Sequence, residues 1–444
     1  MKKYTNVNKS LRLFKKAEKL IPGGVQLLSR RPQLYAHGAT PIYAAKAKGS
    51  HIWDIDGNEY IDTMAGVGAY QIGYCHEPVD RAVAKQIARG ALYSCNHESE
   101  VEMAELLCEA VPCCEMVRYA KGGGDVNTVA VRIARGFTGK DKVVFCGYHG
   151  WHDWYIAANL GDETLESHLL PGVPATGVPK ALTGTTIPFE YNNLDSLRSV
   201  LQANKGEVAC IFLEACRFKA PEPKFIEGVR ELATKHRAVL IFDEVVTGFR
   251  MALGGAQEYF GVTPDLATFA KAIGNGYPLA AVCGKREIMD VAKDMFISST
   301  FWSDPVSLAA GIAVQKELRK KKIIPTIWKT GRRLIDGLTG LLKKHEVPAE
   351  ILGYPPEFIV SFQHQSPEMN TKLSTLLNQE FAKRNVFGGT MIYVLYTHKP
   401  ADVRHILDAA DEIFELVAKG LKQDRIDKLL KVPPKKPLFR RRLV

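Results

Sequence analysis

Ala238-Val239-Leu240-Ile241-Phe242-Asp243-Glu244-Val245 and Leu266-Ala267-Thr268-Phe269-Ala270-Lys271 decide how this chain is read. Each is a short apolar run that ends on ionisable groups. An apolar run of this length, rich in β-branched and large residues, fits a strand buried on both faces. The same pattern recurs outward along the chain. Strands are predicted at 116–120, 143–146, 208–213, 238–242, 266–270 and 279–283, with helices between them at 98–110, 125–137, 225–236 and 306–320. Apolar strands separated by helices imply a mainly parallel α/β sheet covered on both sides. Beyond about residue 325 the pattern changes to helix 330–344, strand 359–363, helix 369–384, strand 391–396 and helix 401–419, a smaller α+β lobe. At the other end, residues 8–20 form an amphipathic helix stopped by Ile21-Pro22-Gly23-Gly24.

In an open parallel sheet, ligands bind beyond the carboxyl ends of the strands, and this sequence puts its reactive groups there. Lys121-Gly122-Gly123-Gly124-Asp125 joins a strand to a helix. Glycines admit a close ligand, and a helix N-terminus offers free N–H groups, which suits an anion such as phosphate. It equally suits a simple helix start with Asp125 as N-cap. The run is neither GxGxxG nor GxxxxGK[ST], which disfavours a dinucleotide or a nucleoside triphosphate. Asp243 is a strand-end carboxylate. Lys271 ends an apolar strand ahead of Gly274-Asn275-Gly276, where a desolvated amine becomes a nucleophile for Schiff-base chemistry. A phosphate cup, a strand-end Asp and a strand-end Lys are together what pyridoxal 5′-phosphate requires. The cup takes the phosphate, the Asp pairs with the ring nitrogen, and the Lys joins the aldehyde. The 28 residues from Asp243 to Lys271 leave room for one helix or loop between adjacent strands. Tyr148 and His149 in Cys146-Gly147-Tyr148-His149-Gly150-Trp151-His152-Asp153 follow another strand end, where a ring can stack on the cofactor. His149, His152 and Asp153 lack a third spaced partner for a metal, and no metal is expected.

Composition narrows the function class. The 444 residues are 46% apolar and 24% charged, ordinary for a globular protein. The net charge of +11 suggests nucleic acid until it is mapped. Residues 1–19 hold seven Lys/Arg against one acid and residues 422–444 hold nine against two, so the body between them is near neutral at −2. The basic ends read as solvated tails, and neither a nucleic-acid nor a membrane partner is expected. No apolar run approaches the length that spans a bilayer, and no signal-peptide core follows the N-terminus. The nine cysteines form no CxxC pair and read as buried thiols of a reducing, cytoplasmic compartment.

The chain resembles the class III pyridoxal-phosphate aminotransferases of fold type I, within them the glutamate-1-semialdehyde aminomutase-like branch. The resemblance runs through Ile21-Pro22-Gly23-Gly24-Val25, Trp53-Asp54-Ile55-Asp56-Gly57, Ala134-Arg135-Gly136-Phe137-Thr138-Gly139, Tyr148-His149-Gly150-Trp151-His152-Asp153, Asp243-Glu244-Val245-Val246-Thr247-Gly248-Phe249-Arg250 and Phe269-Ala270-Lys271-Ala272-Ile273. It implies a large domain, residues 61–325, with a mainly parallel seven-stranded sheet covered by helices. It also implies a small C-terminal domain, 326–444, ending in the basic tail, with the N-terminal segment 1–60 forming part of that small lobe. Lys271 would be the Schiff-base lysine and proton shuttle, and Asp243 the partner of the pyridine nitrogen. Val245 and Tyr148 would cover the two ring faces, with His149 beside them. Gly123 and Gly124 would offer N–H groups to the phosphate, and Glu214 would sit near the cofactor oxygen. Thr300 would reach the phosphate of the neighbouring subunit, and Arg30 would bind a substrate carboxylate. The family is a homodimer with sites at the interface.

Three stretches depart from the family pattern. The phosphate loop, usually Ser-Gly-Ser/Thr-Glu-Ala, is Gly122-Gly123-Gly124-Asp125-Val126 here, so its hydroxyls are gone. Where the aminomutases carry Thr-Leu-Ser-Gly-Asn-Pro this chain has Thr300-Phe301-Trp302-Ser303-Asp304-Pro305, and Gln26-Leu27-Leu28-Ser29-Arg30 replaces their Asn-Ser-Pro-Val-Arg. The changes near the substrate weaken the aminomutase reading more than the cofactor reading. The expected activity is therefore amine transfer from an amino donor to a carbonyl acceptor. The 2,1-aminomutase, or another isomerase, epimerase or decarboxylase on the scaffold, is the alternative. A non-catalytic binding protein on the same fold is the alternative of another class.

Overall fold

The computed structural model describes residues 5–161, 173–216 and 218–436. The C-terminal end of the basic tail, 437–444, the N-terminal residues 1–4 and Arg217 lie outside the described residues, as do 162–172. The chain forms two compact units. One is Glu77–Ile324. The other joins the N-terminal residues up to His76 with those from Pro325 onward.

The first unit is built on a seven-stranded sheet. Its strands are β1 (Met116–Ala120), β2 (Lys142–Cys146), β3 (Thr186–Pro188), β4 (Val208–Leu213), β5 (Val239–Asp243), β6 (Leu266–Phe269) and β7 (Ala280–Gly284). Their spatial order is β1-β7-β6-β5-β4-β2-β3. Neighbours from β6 to β3 pair in parallel, whereas β7 runs antiparallel to both β6 and β1. All six residues of β4 and all five of β5 are buried, because helices cover both faces of the sheet. Each fully buried Leu, Ile or Phe of these runs contributes about 1.5–3 kcal/mol. The helix Gly123–Thr138 lies against the sheet with Val126, Ala130, Val131, Ile133 and Ala134 buried. It starts two residues earlier than the sequence predicts. Asp125 is not the N-cap. It is the third residue of the helix, and its Oδ2 accepts the N–H of Gly122 (3.0 Å).

The second unit holds two small sheets. Ala44–Lys48, His51–Asp54 and Glu59–Asp62 form an antiparallel run, and Val386–Phe387 adds to Glu59–Asp62 in parallel, with Val386 opposite Ile61. Ala349–Tyr354, Glu357–Phe362 and Met391–Tyr393 form the other sheet. The long helices Pro367–Lys383 and Pro400–Lys422 pack through Leu373, Leu377, Phe381, Ile406, Ile413 and Phe414. The described part of the basic tail is docked, contrary to the expectation of a solvated strand. Lys431 N–H donates to Gln379 Oε1 (2.7 Å), Lys435 N–H to Thr375 Oγ1 (2.9 Å) and Lys436 N–H to the Gln33 carbonyl (3.0 Å). Among the described residues no helix is long and apolar enough to cross a membrane.

Candidate active site

The register of the sheet lines up the carboxyl ends of the parallel strands. Cys146 is opposite Leu213, Leu213 opposite Phe242, and Asp243 opposite Thr268. Gly147-Tyr148, Glu214, Asp243 and Lys271 therefore emerge along one edge, Lys271 three residues beyond Thr268.

Successive residues of a strand point to opposite faces, and the two carboxylates at the end of β5 part company accordingly. Glu244 is buried and holds its own turn. It accepts from Thr247 Oγ1 and from the N–H groups of Ala256 (2.8 Å) and Gln257 (3.0 Å) at the start of the helix Ala256–Phe260. Burial raises its pKa, and these hydrogen bonds oppose the rise. Asp243 turns the other way. Its Oδ2 accepts from Asn127 Nδ2 (2.9 Å) and meets His149 Nδ1 (2.8 Å), and its Oδ1 accepts the N–H of Val245 (3.0 Å).

Asn127 is a functional candidate that the sequence reading missed. It is buried on the apolar face of the helix Gly123–Thr138, one turn from Gly123, and its amide also donates to the His149 carbonyl (3.1 Å). A polar residue within an otherwise apolar helical stripe was the available signal. His149 sits behind Asp243. Its side chain is fully buried, stacked on Phe212 with centroids 4.3 Å apart, and its Nε2 meets the Cys146 carbonyl at 3.2 Å.

The glycine run forms a cradle. A Cβ on Gly123 would lie 3.0 Å from Val245 Cγ1, and one on Gly124 would lie 3.2 Å from the His152 ring. Gly150, at φ +112°, approaches so closely that a Cβ there would be 2.9 Å from Gly124 Cα. His152 Nε2 reaches Asp125 Oδ1 at 3.3 Å, and this contact lowers the Asp125 pKa. Tyr148 is pinned through its backbone, whose N–H donates to Glu214 Oε2 (2.9 Å). Its ring is exposed and sits edge-on to Tyr155. Lys271 takes the left-handed conformation, φ +52°, uncommon for a residue with a side chain and of the kind that collects at functional sites. Thr300 lies in an exposed turn of the same unit. Arg30 belongs to the other unit, where its charge acts on Asp62, Tyr35 and Tyr74.

A mainly parallel sheet carries a glycine cradle, an anchored strand-end carboxylate and a strand-end lysine along one edge, and its architecture is that of fold type I. The aminotransferase class-III family model matches residues 34–398, and the chain belongs to that family. It is 37% identical to a 3-aminobutyryl-CoA aminotransferase of Cloacimonas acidaminovorans, over 93% of this chain and 98% of the relative. It is 36% identical to a glutamate-1-semialdehyde 2,1-aminomutase of Methanocaldococcus jannaschii, over 85% of this chain and 87% of that protein. The fold matches that of the FumI protein of Sphingopyxis sp. MTA144, solved with pyridoxal phosphate. The TM-score is 0.86 at 24% identity, over 97% of this chain and 100% of the other. Class III aminotransferases are pyridoxal-phosphate enzymes, and this is the cofactor of the chain. The residues present fit it: a Cβ at 123 or 124 would crowd Val245 or His152, so glycine keeps the helix N-terminus bare there, and the carboxylate is held by Asn127, His149 and the Val245 N–H.

Proposed function

We propose that this aminotransferase uses Lys271, Asp243 and Tyr148 to move an amino group from an amino donor to a carbonyl acceptor. When bound, pyridoxal phosphate supplies a carbonyl that accepts the amine and a ring that withdraws electrons from the bond being broken. Lys271 contributes the amine that attaches the cofactor and moves the proton. Asp243, steadied by Asn127 and His149, would hold the ring nitrogen, and Val245 and Tyr148 would hold the ring. Gly123 and Gly124 give backbone N–H groups to the phosphate at the helix N-terminus. Glu214 stands by the ring oxygen, and Arg30 takes a substrate carboxylate. The assembly is a cytoplasmic homodimer in which Thr300 reaches the partner's phosphate. Exposed Trp151, Phe296 and Phe301 in the Glu77–Ile324 unit support such an interface.

The observation that carries this reading is the register that sets Asp243 level with Thr268, three residues short of Lys271. The test is Lys271→Ala. Turnover should vanish, and borohydride should no longer fix the cofactor to the chain. Trapping on another lysine would overturn the assignment. The donor to try first is a β-amino acid or its thioester, after the C. acidaminovorans relative. Turnover of a single amino-carbonyl compound with no acceptor present would instead identify the intramolecular aminomutase.

A further inference from the structure

Four of the nine cysteines converge away from the strand-end edge, at the end of the helix Ser99–Ala110 and the start of β1. Cys108 is exposed on the last turn of that helix. Cys113 and Cys114 are buried in the turn that follows, and Cys283 is buried on β7, paired with Val117 of β1. Cys108 Sγ and Cys114 Sγ lie 3.3 Å apart, in direct contact, with only five residues of chain between them. We infer that Cys108 and Cys114 are a redox-active pair that closes to a disulfide under a small oxidant such as hydrogen peroxide.

The surroundings divide the labour between the two sulfurs. The Cys283 thiol, then the Cys108 thiol, hydrogen-bond Cys114 and lower its pKa against the cost of burial. Burial and the bond to Cys114 push Cys108 up to about 12. Of the two, Cys114 is the sulfur whose surroundings favour the thiolate, and the thiolate is the nucleophile. Its attack on one peroxide oxygen gives a sulfenic acid and releases hydroxide. The Cys108 sulfur then displaces the second hydroxide, forming the S–S bond. The two thiol protons join the two hydroxides, so two thiols and one peroxide give one disulfide and two waters. The two electrons pass from the sulfurs to the peroxide oxygens. Cys113 and Cys283 remain reduced beneath the pair. The bond would tie the end of the helix Ser99–Ala110 to the turn feeding β1, which leads into the glycine cradle.

The experiment uses the full-length holoenzyme, treated with hydrogen peroxide, alkylated and digested after glutamate. Cleavage at Glu105, Glu109 and Glu115 separates Cys108 from Cys114. The two fragments should stay joined after oxidation and come apart after dithiothreitol. Cys113→Ser should leave the link intact, and Cys108→Ser should abolish it and leave Cys114 to progress to higher oxides. A second measurement, free thiols titrated in denaturant after the peroxide is removed, should fall by two in the unmodified chain. Loss of no thiols, or a link that survives Cys114→Ser or Cys108→Ser, would overturn the inference.

Discussion

Asn127→Ala tests whether Asp243 depends on the groups behind it. The Asn127 amide donates at 2.9 Å to the Oδ2 of Asp243 in a buried setting, Asn127 being 2% exposed and Asp243 4% exposed. A hydrogen bond to a charged group contributes roughly 1.5–3 kcal/mol. Asp243 keeps His149 Nδ1 and the Val245 N–H in the variant, which places the effect toward the lower end of that range. Loss of about 1.5 kcal/mol of transition-state stabilisation is about a tenfold fall in kcat/KM. The variant should retain the cofactor with a visible absorbance band altered from that of the native enzyme, because the carboxylate no longer holds one orientation. Steady-state kinetics, the absorbance spectrum and the melting temperature of the cofactor-free protein are read together. The last separates positioning from loss of packing. If kcat/KM and the spectrum both stay within error of the native values, Asn127 does not position Asp243 and the proposed support for the carboxylate fails.

Two further outcomes follow from the Pro325-containing unit. His398 Nδ1 accepts the N–H of Leu395 (3.0 Å) and its Nε2–H donates to the Asp62 carbonyl (3.1 Å), a pattern only the neutral ring satisfies, and burial pushes its pKa down to about 4. The folded value lies below that of the unfolded chain, about 6.5, so this contribution is complete above that pH and is lost as pH falls toward 4, by about 3 kcal/mol in all. Urea midpoints at pH 7.5 and 5 should differ less in His398→Asn than in the native chain, and equal slopes would refute the assignment. Deleting residues 433–444 removes the Lys435 and Lys436 backbone hydrogen bonds, about 2 kcal/mol together. The melting temperature should drop by a few degrees with kcat unchanged. No drop would mean that the docked tail contributes nothing.

The parts of this molecule that were legible in its sequence are those where a local pattern admits one physical explanation. Val208–Leu213 and Met116–Ala120 read correctly as strands because an apolar run of that length between turn signals has few other uses. Thr186–Pro188 escaped notice, being three residues long and closed by a proline at the sheet edge. The reversed direction of Ala280–Gly284 was invisible, since a central strand is buried on both faces whichever way it runs. The tail misled for a related reason. Its lysines and prolines resemble a solvated segment, but what fixes it are backbone N–H groups bonded to Gln379, Thr375 and Gln33, and composition carries no record of backbone partners. The reactive groups followed the same rule. A lysine or an aspartate at the mouth of an apolar strand is costly to place, so its position asks for a use, and that is why Lys271 and Asp243, with Glu244 beside it, drew attention in the sequence. Asn127 did not, because its reason for being there lies 116 residues away at Asp243 and 22 residues away at His149. A buried amide inside a helical stripe is explained only by the groups that face it, and those are brought together by the crossing of a helix over a sheet. Sequence therefore shows where charge has been placed at a cost, and the fold is needed to show what steadies it.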